Sequence, residues 1–239
     1  MFSILLIFNY NKDIMRPDNI TLENGITLYR EDRKNEALSV FQAFISNNPV
    51  DQFKKAMAYL YMSFLEFETN QAVSPSWTHC LDTLRIIPAI TEANLSDIQN
   101  CNDNNSFERL CVLYNIIIPK MNTNSGKAKA YSIIGRLYNN ESDKSKNQVL
   151  LKEAIHYYKS AADLYNPQDN LVEKAKVTHH LAYVYFTTGD FDNTIIKATS
   201  AFDLYPHSLN RFRINTTRLL GHAYYHKEKL DDAIASYIL

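Results

Sequence analysis

Apolar residues recur every three or four positions through most of this 239-residue chain, which is the spacing of one face of an α-helix. The clearest example ends at Pro206: Leu181 and Tyr185 share one helical face, Gly189 and Asp190 interrupt the pattern, and a second apolar stripe then follows. A turn signal between two stripes of helical period is typical of two helices joined by a short connection. The pattern therefore predicts a helical hairpin over residues 175–206.

Comparable patterns predict hairpins at both ends of the chain. Residues 18–49 give the first, and residues 128–239 give three consecutive repeats, of which the last stops within its second helix. A polar loop is expected at residues 139–147, inside the first of these repeats. Because a lone hairpin cannot bury its apolar face and stacked hairpins can, the pattern predicts an all-α fold, a solenoid of antiparallel helical hairpins.

The middle of the chain follows the pattern less well. A helix is predicted at residues 52–68, but no matching second helix follows at the expected distance, and the next predicted helix spans residues 76–87. An Asn-rich stretch at residues 91–106 is interpreted as a long loop. The expected domains are an N-terminal segment that need not be structured (1–17), hairpins that degenerate after residue 70 (18–90), the loop with an apolar helix (91–127) and the three repeats (128–239).

Small residues recur at one place in the three C-terminal repeats. Gly135, Ala182 and Gly221 lie 47 and 39 positions apart, and each is followed three residues later by a tyrosine. A close helix crossing needs a small residue, and we expect the tyrosine to fill the gap beside it. The tyrosines concerned are Tyr138, Tyr185 and Tyr224.

This repeated pattern resembles the tetratricopeptide repeat family, whose period is about 34 residues. The longer intervals fit either longer loops or longer helices, as in kinesin light chain and in Rap-type bacterial regulators. The resemblance covers residues 18–49 and 128–239 and is weak over residues 52–127. The family's tryptophan is absent from the first helices, and Thr194 stands where the second helix usually carries alanine. The resemblance implies a right-handed superhelix that binds proteins or peptides on the concave surface of its first helices.

Composition excludes several classes of function. With 25 basic and 26 acidic residues, the net charge of −1 gives no electrostatic case for nucleic acid or for an anionic membrane. Cys80, Cys101 and Cys111 form neither a CxxC pair nor a disulfide framework, which favours a reducing compartment, the cytoplasm. The apolar residues 1–8 are too few to span a bilayer, and Met15 is an alternative start.

No nucleotide-binding, hydrolase or metalloprotease motif is present, so no cofactor and no enzymatic activity are expected. His179 and His180 are adjacent, and His222 and His226 are one helical turn apart, a spacing that can bind zinc. No cysteine or acidic residue shares their face to complete a ligand set, and no metal site is predicted.

The predicted concave face carries basic, imidazole and aromatic side chains, and also Ser132, Asn139 and Asn215. In a chain of near-zero net charge, this asymmetry suits an extended acidic peptide with aromatic anchors. A histidine beside a bound carboxylate favours its charged form, so affinity is expected to rise as the pH falls from about 7.5 to 6. The predicted groove residues are Lys129, Arg136, Lys176, His179, Tyr183, Phe186, Arg218, His222, Tyr225 and His226.

Other interpretations remain open at this point. The same side chains could be merely solvated, or covered by the terminal segments of the chain. Lys176 and Arg218 suit the family's carboxylate clamp, but Tyr183 and His222 stand where that clamp needs asparagine, so chaperone C-termini are not predicted. A peptide-responsive regulator of the Rap type is the alternative function. The apolar ending at residues 237–239 indicates either a longer protein or self-association through this edge.

Overall fold

The computed structural model describes residues 19–68, 74–99, 107–166 and 168–238. Within these ranges the regular structure is helical, with twelve α-helices and a 3-10 turn at Ile118–Lys120, and this confirms the predicted all-α fold. The predicted N-terminal segment and Cys101 lie outside the described residues. The helices are α1 Leu22–Arg30, α2 Lys34–Ser46, α3 Gln52–Glu68, α4 Pro75–Ile86, α5 Glu92–Gln99, α6 Phe107–Ile117, α7 Asn124–Ser145, α8 Val149–Leu164, α9 Leu171–Thr187, α10 Phe191–Leu204, α11 Asn210–His226 and α12 Leu230–Ile238.

The chain divides into two compact units. The N-terminal unit comprises Met1–Ile90 with Ser96–Asp103, and the C-terminal unit comprises Thr91–Leu95 with Asn104–Leu239. The division falls inside α5, so the two ends of this helix belong to different units.

Two helical pairs build the N-terminal unit. The hairpin of α1 and α2 closes where the Gly25 backbone meets the buried ring of Phe41, which also stacks on Tyr61 of α3 with ring centroids 5.6 Å apart. The second pair is α3 with α4, so the helix predicted at residues 76–87 is the partner of the 52–68 helix. The partner helix starts at the Ser74 cap, whose hydroxyl accepts a hydrogen bond from the Trp77 N–H at 3.1 Å.

The Asn-rich stretch is partly helical. We expected a loop over residues 91–106, but α5 begins at Glu92 because Thr91 and Asn94 cap its first turn. The Asn94 N–H donates to the Thr91 hydroxyl at 3.3 Å, and the Thr91 N–H donates to the Asn94 side-chain oxygen at 3.1 Å. Leu95 and Ile98 on this helix are fully buried. Burial of these two side chains stabilises a helix that the polar composition concealed. Residues 100–106 lie outside the described part of the chain.

Six helices of the C-terminal unit form three consecutive hairpins, α7 with α8, α9 with α10 and α11 with α12. The small residues lie at the predicted crossings, but the residue facing them comes from the second helix. A Cβ at Gly135 would lie 3.0 Å from the Tyr158 ring, and one at Gly221 would overlap the Tyr237 ring. The tyrosine three residues after Gly135 does not fill this gap: Tyr138 instead packs on Phe107, Tyr157 and Cys111.

All four repeat-type hairpins have turns of three residues, and the hairpin of α7 and α8 differs only in helix length. The polar loop expected at residues 139–147 is therefore wrong, because α7 continues to Ser145. Asn139 and Ser142 are buried along this extension, the Ser142 hydroxyl donates to the Asn147 carbonyl at 2.9 Å, and Lys146 ends the helix in the left-handed conformation. Longer helices explain the longer first interval.

Exposed apolar side chains occur along α12, including two of the predicted apolar ending, Tyr237 and Ile238. Leu230, Ile234, Tyr237 and Ile238 are each at least half exposed. Leu239 lies outside the described residues. Self-association through this apolar edge stays a prediction.

Candidate ligand-binding cleft

The first helices of the three C-terminal hairpins, α7, α9 and α11, enclose a cleft of about 580 Å³. A pocket of this volume falls in the usual range for a ligand site, about 300–1,000 Å³. One residue comes from a second helix, Tyr158 of α8. The lining residues are Arg136, Asn139, Asn140, Tyr158, His179, His180, Tyr183, Phe186, Asn215, Arg218, Leu219 and His222.

The cleft brings together six of the ten predicted groove residues and excludes the other four. Lys176 of the excluded group forms an ion pair with Glu173 at 2.9 Å. His226 stacks on Phe191 with ring centroids 4.7 Å apart, and Tyr225 is 60% exposed beside it. Lys129 is half-buried on α7. The six residues that line the cleft are Arg136, His179, Tyr183, Phe186, Arg218 and His222.

Besides Leu219, three lining residues were placed neither in the predicted groove nor on the predicted concave face, each for a physical reason. Asn140 lies in the part of α7 that was expected to be a loop. Tyr158 belongs to a second helix, and its buried ring reaches the cleft beside Gly135. His180 was weighed only as a metal ligand, but it stacks on Tyr158 with ring centroids 5.7 Å apart. The sequence does contain a signal for Tyr158: Gly135 has no side chain, so an aromatic ring of the second helix can pass beside it and reach the cleft.

The charge of the cleft comes from two arginines. Arg136 is half-buried on α7, Arg218 is exposed on α11, and none of the described residues that line the cleft is acidic. A guanidinium presents a planar fork of N–H donors that matches a carboxylate or phosphate. Tyr183 and Phe186 add accessible aromatic surface one helical turn apart on α9. The lining is therefore cationic and aromatic.

The pKa values of the two adjacent histidines lie below the usual range of histidine. Burial, together with His180 and Arg218, lowers the pKa of His179 to about 4. Partial desolvation, followed by the charges of Arg136 and Lys176, also lowers the pKa of His180 below its usual range. A proton on the half-buried ring of His179 would be added close to the positive charge of Arg218 and largely away from water. His180 is exposed to solvent, and a proton on its ring would be added close to the positive charges of Arg136 and Lys176. The sequence analysis expected a histidine to become charged as the pH falls from about 7.5 to 6. In the unliganded cleft, His179 stays uncharged over this range.

Hydrogen bonds fix the position of His179. Its Nδ1 lies 2.9 Å from the hydroxyl oxygen of Thr216 on α11, and that hydroxyl donates to the Phe212 carbonyl at 2.9 Å. His222 makes a comparable contact on the other side of the cleft, where its Nδ1 is 3.1 Å from the Tyr237 hydroxyl. Both imidazoles are thus held by neighbouring helices.

Asn139 is the unusual polar residue of the cleft. Its side chain is 9% exposed, and its Oδ1 has no hydrogen-bond partner among the described residues. A buried carbonyl oxygen without a partner costs about 1–3 kcal/mol, so native proteins retain few of them.

The described residues contain no group of three or more histidines, cysteines or acids placed to hold a metal ion. Among the helices of the described ranges, none has the length and apolar character needed to cross a membrane.

Comparisons with known proteins concern the fold. Neither a protein-family model nor a curated protein sequence matches the chain. Similar solved structures include MamA (15% identity, 90% of each chain, TM-score 0.44). BtubC (BKLC) from P. vanneervenii is 13% identical over 90% of this chain and 87% of that chain, with a TM-score of 0.48. A Podosopora anserina kinesin light chain with nearly identical TPR-like repeats is 12% identical over 90% of this chain and 92% of that chain, with a TM-score of 0.44.

At these identities and TM-scores, no function passes from these proteins to this chain. The stacked hairpins described above, with small residues at their crossings, confirm the predicted all-α fold of antiparallel helical hairpins.

Proposed function

We propose that this tetratricopeptide-like chain is a non-enzymatic interaction scaffold that binds an extended acidic segment of a partner protein in the cleft of α7, α9 and α11. The observation that carries the proposal is the charge of the lining: Arg136 and Arg218 face the cleft, and none of the described side chains that line it is acidic. Two guanidiniums without internal carboxylate partners in the lining favour a ligand that brings its own acids.

The aromatic surface supports a peptide ligand. Tyr183 is 42% exposed and Phe186 borders the same space, so apolar side chains of a bound segment would find contact area between the two arginines. Aromatic and arginine side chains are enriched among residues that dominate binding energy at protein interfaces. Acidic side chains would then supply charge complementarity, and apolar ones would supply buried area.

The test is a selection from random peptides of about twelve residues displayed on phage. The library is first depleted on the Arg136→Gln, Arg218→Gln double variant and then selected on the parent protein. Enriched peptides should contain more Asp and Glu than the input library, and they should lose at least about 30-fold in affinity for the double variant, since a desolvated charge pair is worth about 2–5 kcal/mol.

Arg211 gives a matched control, because it is an exposed arginine on the same helix as Arg218 and does not line the cleft. The Arg211→Gln variant should bind the enriched peptides as the parent does. The proposal fails if no peptide is enriched, if the enriched peptides carry no excess of acids, or if the double variant binds them equally well.

A further inference from the structure

The contact between His179 and Thr216 determines which ring nitrogen carries a proton. A threonine hydroxyl has one hydrogen, and the Thr216 hydroxyl donates it to the Phe212 carbonyl at 2.9 Å. Toward the imidazole nitrogen, 2.9 Å away, the Thr216 oxygen can then act only as an acceptor. Nδ1 of His179 therefore carries the hydrogen and donates it to Thr216.

The other nitrogen of the same ring is consequently a free acceptor. Because His179 is neutral at physiological pH, only one of its two ring nitrogens carries a hydrogen, and that nitrogen is Nδ1. Nε2 keeps its lone pair, on a ring that lines the cleft. A guanidinium-rich cleft thus also contains a hydrogen-bond acceptor, which a carboxylate cannot use.

A second acceptor without a partner lies on the facing helix. Asn139 is nine-tenths buried on α7, it lines the cleft, and its Oδ1 has no hydrogen-bond partner among the described residues. Arg136 lies one helical turn before it. An amide that lacks a partner gains one by turning toward a ligand N–H, and the penalty of the unpaired oxygen is then relieved.

We propose that the cleft binds main-chain N–H groups of the ligand through His179 Nε2 and Asn139 Oδ1, and that Thr216 is the positioning residue that keeps His179 an acceptor. This inference rests on the proposed function and adds a second requirement to it. The arginines would bind acidic side chains of the ligand, and the two acceptors would accept hydrogen bonds from its main-chain N–H groups. A fully ionised phosphate or carboxylate group offers acceptors alone, so it would leave both protein acceptors unpaired.

The first experiment needs no ligand. Long-range ¹H–¹⁵N spectra of the full chain with ¹⁵N-labelled histidine report the tautomer of each neutral imidazole. His179 should show a protonated Nδ1 and an unprotonated Nε2. Thr216→Val keeps the shape of this fully buried side chain but removes the acceptor, and it should shift His179 toward the Nε2–H tautomer.

Thr216→Ser retains a hydroxyl and is the matched control, which should keep the parent tautomer. Thermal melts of the variants establish that each is folded. A parent protein with Nε2–H, or a Thr216→Val variant that is folded and keeps Nδ1–H, would overturn the assignment of Thr216.

The second experiment uses an acidic peptide enriched by the phage selection, synthesised with single backbone amides replaced in turn by esters. An ester keeps the shape of the chain and removes one N–H donor. At one or two positions the replacement should weaken binding about five- to tenfold, the worth of a neutral hydrogen bond. The same replacement should have less effect on the Thr216→Val or Asn139→Leu variant, which lacks one acceptor.

The outcomes separate the two proposals. If no acidic peptide binds, the proposed function fails. If an acidic peptide binds through the arginines but no ester weakens it, or if every ester weakens the parent and both variants by the same factor, the proposed function stands and the backbone-recognition inference is wrong.

Discussion

The α-carbon of Gly25 lies against the ring of Phe41, so close that a Cβ at residue 25 would overlap the ring. Sixteen positions separate these two residues, as they separate Gly221 from Tyr237, whose ring covers the glycine in the same way. The separations are equal because the two hairpins have the same lengths of helix and turn. In both, five helical residues follow the glycine, and a three-residue turn leads to the second helix. The contact therefore marks the crossing point of a repeat-type hairpin.

Replacing Gly25 by alanine should destabilise the N-terminal unit. Phe41 is fully buried and cannot yield, so overpacking costs about 1–3 kcal/mol, partly offset by up to about 1 kcal/mol from the better helix propensity of alanine. Gly221→Ala should cost less, because Tyr237 is half exposed and can move. Urea unfolding measures both, and a Gly25→Ala variant as stable as the parent would contradict the crossing described here.

A substitution in the turn between α9 and α10 would change backbone strain without changing side-chain packing. Gly189 has a φ of 78°, and a Cβ at this position would meet no atom of the described part of the chain within 4 Å. Gly189→Ala should therefore cost about 1–2 kcal/mol through left-handed strain alone. Glu228 occupies the equivalent turn position between α11 and α12 with a φ of 59°, so Glu228→Gly provides the reverse change and should not destabilise. Thermal melts that rank the two variants in the opposite order would refute this explanation.

Acidification should destabilise the C-terminal unit through His179. Its pKa is about 4 in the folded protein and about 6.5 when unfolded, so the unfolded chain binds more protons between these values. Stability is fully present above pH 6.5 and is lost as the pH falls toward 4. The loss between pH 7 and 5 is about 1–2 kcal/mol from this residue. The titratable groups around the cleft are Arg136, Tyr158, His180, Tyr183, Arg218 and His222.

Comparing variants isolates this contribution. His179→Asn keeps an N–H donor near Thr216 and removes the titrating ring, so its stability should depend less on pH than that of the parent between pH 7 and 5. His207→Asn changes an exposed histidine between α10 and α11 and is the control. Urea unfolding at several pH values gives the slopes, and identical slopes for His179→Asn and the parent would exclude the burial effect.

Two positively charged residues that sequence reasoning placed in one groove should behave differently in binding. Arg218→Ala should reduce affinity for the selected acidic peptide by at least about 30-fold, because a cleft charge loses its partner. Lys176→Ala should change affinity less than about fivefold, since Lys176 is paired with Glu173 outside the cleft and exposed ion pairs contribute little. Fluorescence anisotropy measures both. If both variants lose affinity equally, Lys176 is part of the binding surface and this prediction is wrong.

The helical hairpins were predictable because their signals are local. An apolar stripe at helical spacing and a turn residue such as Gly189 suffice to predict α9 and α10, and both helices are found. The failures occurred where a tertiary contact overrides composition. Asn139 and Ser142 are polar, so residues 139–147 suggested a loop, but burial against neighbouring helices extends α7 through them. Leu95 and Ile98 similarly stabilise α5 within an Asn-rich stretch.

The cleft was predictable only in part. A shared helix face correctly grouped Arg136 with Asn139 and His179 with Tyr183, because residues three or four apart are neighbours on a helix. The same rule could not separate Lys176, which lies one turn from His179 but pairs with Glu173. It also could not indicate that His179 is uncharged, because its pKa depends on burial and on Arg218 of another helix.

The order of the first helices sets a length for the ligand. Arg136 and Arg218 lie on α7 and α11, with α9 between them in the order of the first helices, and packed helices are about 8–10 Å apart. Two such steps are bridged by about five or six residues of extended polypeptide at about 3.3 Å each. A segment with adjacent acids can reach one arginine at a time. A segment whose acids stand about five residues apart can engage both at once, so acid spacing, more than acid number, would distinguish one partner from another.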